Sequence, residues 1–133
     1  MSLHAPQFCS AATLFVVQDV SKAVAHYRDV LGFKVGFTYG DPVFYGGVER
    51  GDVTIHFQAA NKTPRESGQG AVNVFVTEVD ALHDELKSRG ATIVHPPGDR
   101  PYGMRDFDID DLDGNRDVWD GHRWFGLDRP HKR

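Results

Sequence analysis

One pattern of predicted strands and helices occurs twice in the chain, once in each half. This repeat limits the possible folds more than any other feature. The segments TLFVVQDVSKAVAHYRDVLGFKV (13–35) and VNVFVTEVDALHDELKSRGATIV (72–94) both indicate an apolar strand, an amphipathic helix and a second strand. Asp19-Val20 matches Glu78-Val79, and Gly32 matches Gly90, at an offset of 58–59 residues. The chain is therefore predicted to contain two copies of one structural unit.

Each unit continues in the same way after its helix. Three strand candidates follow in the first half (FKVGFTY, VFYGGVER, DVTIHFQAA) and three in the second (ATIVH, GMRDFDID, NRDVWDG), separated by turn residues. The predicted fold is α+β: two βαβββ modules form a curled mixed sheet around a cleft, with the helices outside. One domain spans 1–133, with module one at about 11–60, a linker at 61–70, module two at about 71–121 and a tail at 122–133. Ser21 and Asp80 are the predicted helix caps.

Strand alternation separates a core side from a cleft side. The core side takes Phe15 and Val17, Val53, Ile55 and Phe57, and Val72, Val74 and Val76. The cleft side takes the neighbours of these residues, which mix polar, aromatic and small types as a ligand cavity does: Ala12, Leu14, Val16, Thr54, His56, Gln58, Ala71, Asn73 and Phe75. An ordinary polar face or a dimer interface explains the same pattern.

Composition excludes several classes of function. No apolar run reaches the roughly 18–20 residues that span a bilayer, and the N-terminus lacks the pattern of a signal peptide. The single Cys9 is incompatible with an intrachain disulfide and favours a reducing, cytoplasmic location. A net charge of −4 argues against a nucleic-acid partner.

The stretch YGMRDFDIDDLDGNRDVWDG (102–121) is rich in aspartate. A calcium loop placed on Gly114 puts Ile109 at the first ligand position, so that reading fails. Alternation instead directs Asp106 and Asp108 toward the cleft, where they either favour cationic ligands or form a solvated edge neutralised by Arg105 and Arg116. The sequence 111–115 is a predicted turn in which Gly114 and Asn115 adopt positive φ. Asp117 shares the core side with Trp119, which requires either a bulge or a paired carboxylate.

These residues resemble the glyoxalase / bleomycin-resistance / extradiol-dioxygenase superfamily, also called vicinal oxygen chelate proteins. The resemblance rests on FVVQDVSKAVAHYRDVLGF, VFVTEVDALHDELKSRGA and YGMRDFDIDDLDGN, and it extends from about 11 to 121. It is closest to the bleomycin-resistance-like branch. The resemblance implies two βαβββ modules, a ligand cleft and a homodimer.

The resemblance also implies four metal-ligand positions, two in each module. They fall on Ala12, His56, Ala71 and Val118, of which only His56 has a coordinating side chain. A shift of one residue offers Asp117 as a second ligand at best. No metal, cofactor or catalytic residue is therefore expected, and a divalent metal remains the alternative.

We expect a protein that binds or sequesters a small organic ligand, planar or cationic, such as an antibiotic. The predicted ligand-binding residues are Thr54, His56, Gln58, Asn73, Phe75, Asp106, Asp108 and Val118. For His56 the alternatives are a structural role and general acid/base catalysis. The alternative function is a lyase, isomerase or dioxygenase of the same superfamily. Trp124 and Phe125 in the tail are expected to seal the end of the core or an interface between subunits.

Overall fold

The computed structural model describes residues 5–122, and its helices and strands follow the repeat. Module one contains β1 (Thr13–Val17), α1 (Val20–Asp29), β2 (Lys34–Gly40), β3 (Val43–Arg50) and β4 (Val53–Ala59), and a short 3-10 turn follows at Ala60–Lys62. Module two contains β5 (Ala71–Phe75), α2 (Val79–Ser88), β6 (Thr92–Asp99), β7 (Met104–Asp110) and β8 (Arg116–His122). The predicted α+β class and the two βαβββ modules are confirmed. Trp124 and Phe125 lie outside the described residues.

Each module forms its own four-stranded mixed sheet. The strand orders are β1-β4-β3-β2 and β5-β8-β7-β6, with the first strand parallel to the last in each module and the other pairs antiparallel. Helix α1 packs on β2, β3 and β4, and α2 packs on β6, β7 and β8. Each sheet therefore has a helix-covered face and an opposite face, which we call the helix-free face. No helix within 5–122 combines the length and apolarity needed to cross a membrane.

The core lies between each helix and its sheet, as alternation predicts. Its members include strand residues from both modules and apolar residues of the helices: Phe15, Val17, Ile55, Phe57, Val74, Phe107, Ile109, Trp119, Val20, Val24, Tyr27 and Leu86. Val16 is aligned with Gln58 on the predicted cleft side, and it is only 7% exposed. Its carbonyl accepts the Gly68 amide at 3.2 Å, so the connection between the modules runs over this end of β1.

The two predicted helix caps are wrong, and so is the positive φ predicted for Asn115. Asp19, not Ser21, caps α1, since its carboxylate accepts the Lys22 amide at 3.0 Å. At the start of α2 the cap position is Glu78, which makes no side-chain cap bond. Asp80 instead pairs with Arg105 on β7 at 2.9 Å. In the 111–115 turn only Gly114 has positive φ.

Candidate functional site

The helix-free face of module one carries a row of side chains that crosses all four strands. The register aligns Phe37 of β2 with Gly47 of β3, Gly47 with His56 of β4, and His56 with Leu14 of β1. Phe37 is 42% exposed and Leu14 is 41% exposed, so the row is open at both ends. The predicted residues Thr54 and Gln58 are half-buried neighbours of His56 on the same strand.

His56 sits in an aromatic environment that Gly47 makes possible. The Phe37 ring meets the His56 ring edge-on at 5.3 Å between centroids, and it lies nearly parallel to Tyr45 at 6.0 Å. The Tyr45 hydroxyl is 2.9 Å from His56 Nδ1. A Cβ on Gly47 would lie 2.6 Å from Phe37 Cε1 and 2.9 Å from His56 Cδ2. Glycine is therefore required for the two rings to meet above the strand.

The corresponding face of module two is charged. Asp108 is bound by His95, with Nδ1 at 2.8 Å, and by Arg116 at 3.0 Å. Arg116 also donates to Asp110 at 2.7 Å. Arg116 therefore neutralises part of the acidic strand, as predicted. The prediction for Arg105 is wrong, because this side chain faces α2 and pairs with Asp80 and Asp99.

A second carboxylate pair lies beside Phe75 on this face. Asp106 is opposite Asp120 in the register and accepts the Arg100 Nε–H at 2.9 Å. Burial first, and then the hydrogen bond and negative charge of Asp106, raise the pKa of Asp120. Phe75 is aligned with Asp120 and is 73% exposed.

The structure groups the predicted ligand residues by module. Thr54, His56 and Gln58 share the module-one face, whereas Asn73, Phe75, Asp106, Asp108 and Val118 share the module-two face. Asn73 is aligned with Val118, which is aligned with Asp108. The two sets lie on separate sheets. Whether they contact a ligand stays a prediction.

A buried polar cluster connects the two modules. The Tyr27 hydroxyl on α1 lies 2.7 Å from Asp117 Oδ2 and 3.1 Å from Asp111 Oδ2. Asp117 is fully buried, and its Oδ1 has no hydrogen-bond partner among the described residues. The β7–β8 register runs without a bulge, so Asp117 is paired, as one alternative predicted, but its partner is a tyrosine.

The hydrogens of this cluster indicate that one acid is protonated. Burial raises the pKa of Asp117 to about 8 and also raises the pKa of Asp111, whose carboxyl accepts the amides of Asp113 and Asn115 at 3.0 and 2.9 Å. The Tyr27 hydroxyl has a single hydrogen, which it donates to Asp117 or to Asp111. A proton on Asp117 supplies the hydrogen for the second contact.

An open cavity of about 560 Å³ also lies between the modules, on the helix side of the sheets. Its walls come from the β3–β4 turn, β5 and α2, and the Arg50–Glu85 ion pair at 2.8 Å borders it. Among the predicted ligand residues only Phe75 lines it. The cavity therefore lies mainly on the helix side and meets the helix-free face of module two at Phe75.

The residues present do not fit the family's metal site. Ala12 and Ala71 have no donor atoms, and Val118 lies where β8 would need a carboxylate. His56 Nδ1 is already engaged by Tyr45. Within residues 5–122 no group of three or more His, Cys, Asp or Glu side chains is arranged to hold a metal ion.

Comparison with known proteins agrees with this architecture. The profile of the Glyoxalase/Bleomycin resistance protein/Dioxygenase superfamily matches residues 10–116. The chain belongs to this superfamily. No curated protein sequence matches it.

Three solved structures illustrate the range of similar proteins. TioX from Micromonospora sp. ML1 is 21% identical, with a TM-score of 0.75, and the match covers 86% of this chain and 99% of TioX. A bleomycin-binding protein from Streptomyces verticillus, complexed with copper(II)-bleomycin, is 27% identical with a TM-score of 0.72 over 86% and 97% of the two chains. Lactoylglutathione lyase from Agrobacterium tumefaciens is 22% identical with a TM-score of 0.70 over 92% and 100%.

Sequence reasoning missed three residues that organise these sites. Tyr45 is two residues before Gly47 on β3, and alternate residues of a strand share a face. Strand alternation could therefore have placed Tyr45 on the same face as Gly47 and His56. Asp120 is two residues after Val118 on β8, so strand alternation could have placed it on the cleft side as well. Helical spacing places Tyr27 on the apolar face of α1 with Val20 and Val24, and no sequence signal indicates that its hydroxyl reaches Asp117.

Proposed function

We propose that this protein binds a small planar organic molecule on its helix-free faces and sequesters it without chemical change. The observation that supports this proposal most directly is the exposed Phe37 ring, which lies over Gly47 beside the hydrogen-bonded Tyr45–His56 pair. Such a wall offers a flat apolar surface for stacking and a polar group at its edge. Three of the family's four metal positions have no coordinating side chain, which favours binding over metal-assisted catalysis.

The module-two face supports a preference for ligands that carry positive charge. It presents Asp106, Asp108, Asp110 and Asp120 against two arginines, Arg100 and Arg116. Because the arginines neutralise only part of this charge, the face attracts cations more than anions. The bleomycin-binding protein that resembles this chain is consistent with such a ligand.

A second copy of the chain is the proposed partner that closes the cleft. All residues of β2 are exposed, and the apolar side chains Leu14, Val35, Phe37 and Tyr39 are 41, 37, 42 and 66% exposed. Exposed apolar groups of this kind mark a contact surface. Pairing module one of one copy with module two of the other would place an aromatic wall opposite an acidic wall.

Calorimetric titration with metal-free bleomycin, copper(II)-bleomycin and doxorubicin tests the proposal, together with light scattering for the dimer. We expect saturable heat for at least one ligand and a mass of two chains. Phe37→Ala should weaken binding, whereas Phe8→Ala should not, because Phe8 is fully exposed and outside both faces. Failure of all three ligands to bind would contradict sequestration of these drug classes.

The enzyme alternative has its own test. Protein purified without chelator is analysed for metal and assayed with glutathione and methylglyoxal. We expect neither stoichiometric metal nor turnover. Metal bound at one equivalent and lost in His56→Ala, together with product formation, would replace sequestration by catalysis.

A further inference from the structure

The Tyr45–His56 hydrogen bond determines which nitrogen of His56 carries its proton. Among residues 5–122, the hydrogen-bond partner of the Tyr45 hydroxyl is His56 Nδ1, at 2.9 Å. A phenol is a stronger acid than a neutral imidazole N–H, and an unprotonated imidazole nitrogen is a stronger acceptor than a phenol oxygen. Tyr45 therefore donates to Nδ1, and the proton of neutral His56 is on Nε2.

The Nε2–H group of His56 is available to a bound molecule. No residue within 5–122 accepts a hydrogen bond from it, and the atom is not sealed from solvent. The ring cannot turn freely, because Phe37 packs edge-on against it and Tyr45 holds the opposite nitrogen. His56 thus offers one directed hydrogen-bond donor next to the exposed Phe37 ring.

We infer that His56, positioned by Tyr45, selects planar ligands that carry a hydrogen-bond acceptor, such as a ring carbonyl, at their edge. The inference rests on the proposed function, since it names the ligand class of the same site. A flat ring stacked on Phe37 brings its edge toward His56, because the two side chains are one strand apart across Gly47. A ligand without an acceptor would leave the donor desolvated and unpaired, which is unfavourable.

The proton position is measured directly by nitrogen-15 NMR of the histidine ring. Wild-type protein should show His56 as the Nε2–H tautomer with Nδ1 as a hydrogen-bond acceptor. Tyr45→Phe should remove the acceptor signature of Nδ1 while leaving thermal unfolding close to wild type. A purely structural role for Tyr45 would not change that signature. A wild-type Nδ1–H tautomer would overturn the inference.

The ligand class is tested with coumarin and naphthalene, which are planar bicyclic molecules of similar size. Coumarin carries a ring carbonyl and naphthalene does not. One hydrogen bond of ordinary strength predicts that wild type prefers coumarin roughly fivefold. His56→Phe keeps a ring at this position and removes the donor, so the preference should disappear, and Tyr45→Phe should reduce it.

The outcomes separate this inference from the function on which it rests. If both probes bind equally, planar binding stands and selection by His56 is wrong. If the coumarin preference survives in His56→Phe, another donor is responsible and the inference is wrong. If neither probe binds wild type, both the ligand class and planar sequestration are contradicted.

Discussion

The two modules share one scaffold but differ in the chemistry of equivalent positions. The parallel pairs Leu14–His56 and Asn73–Val118 occupy the same place in each module, so His56 corresponds to Val118, and Gly47 corresponds to Asp108. Module one uses the helix-free face for aromatic side chains. Module two uses it for carboxylates held by arginines. A duplicated fold thus tolerates opposite surfaces, because the face away from the helix contributes little to the core.

The helix-covered faces differ at one position of large consequence. The pairs Thr13–Ile55 and Val72–Asp117 are equivalent, so module two buries a carboxyl where module one buries an isoleucine. Both residues are fully buried. Only the carboxyl reaches across to the other module, through Tyr27. The asymmetry indicates that module two gives up apolar packing for a polar contact between modules.

Asp117→Asn should have the largest effect, and it should appear as a change in pH dependence. Because the folded-state pKa of Asp117 is raised to about 8, its contribution to stability is full below its unfolded pKa of about 4 and is lost as pH rises toward 8. Asparagine reproduces the neutral acid at every pH. The variant should match wild type near pH 4 and exceed it by the order of 5 kcal/mol above pH 8.

Denaturant unfolding between pH 4 and 9 measures this difference, with the exposed Asp52→Asn as control. His26, whose pKa is lowered by burial, is present in all three proteins, so its titration largely cancels. Parallel profiles for wild type and Asp117→Asn would contradict a protonated Asp117.

Gly121→Ala tests a second asymmetry, in the last strand of each module. Module one has Ala59 at the position equivalent to Gly121. A Cβ on Gly121 would lie 2.4 Å from Val79 Cγ2 and 2.9 Å from the Val76 carbonyl oxygen, so β8 would have to move away from α2. We expect a loss of about 2 kcal/mol in unfolding free energy. Gly98→Ala, where a Cβ meets nothing within 4 Å, should change it by less than about 0.5 kcal/mol.

Part of the difference between the modules could be predicted from the sequence, and part could not. The repeat and strand alternation predicted the modules, the core and the sides of His56 and Asp106, because these depend on local periodicity. They did not predict the bond from Tyr27 to Asp117, because contacts between distant elements follow from packing. Capping by Asp19 rather than Ser21 depended on a helix boundary that periodicity leaves uncertain by about two residues. The homodimer and the cytoplasmic location stay predictions.

Gly47→Ala should affect binding more than folding. The added methyl group displaces the Phe37 and His56 rings, which are partly exposed and free to move outward, so we expect a change in unfolding free energy within about 1 kcal/mol. Because both rings of the proposed ligand surface move, affinity for coumarin should fall about tenfold, which equals about 1.4 kcal/mol. Titration of wild type and Gly47→Ala with coumarin checks this. Unchanged affinity would place the ligand on module two.

The smallest effect is expected for another polar contact between the modules, the Arg50–Glu85 ion pair. Its side chains are 38 and 33% exposed, so solvent screens their attraction. A double-mutant cycle with Arg50→Met and Glu85→Gln should give a coupling energy of about 0.5 kcal/mol that decreases with added salt. A salt-independent coupling above about 2 kcal/mol would mean that this pair, rather than the buried Tyr27–Asp117 contact, holds the modules together. Together with Asp117→Asn, this cycle ranks a partly solvated ion pair against a buried hydrogen bond between the same two modules.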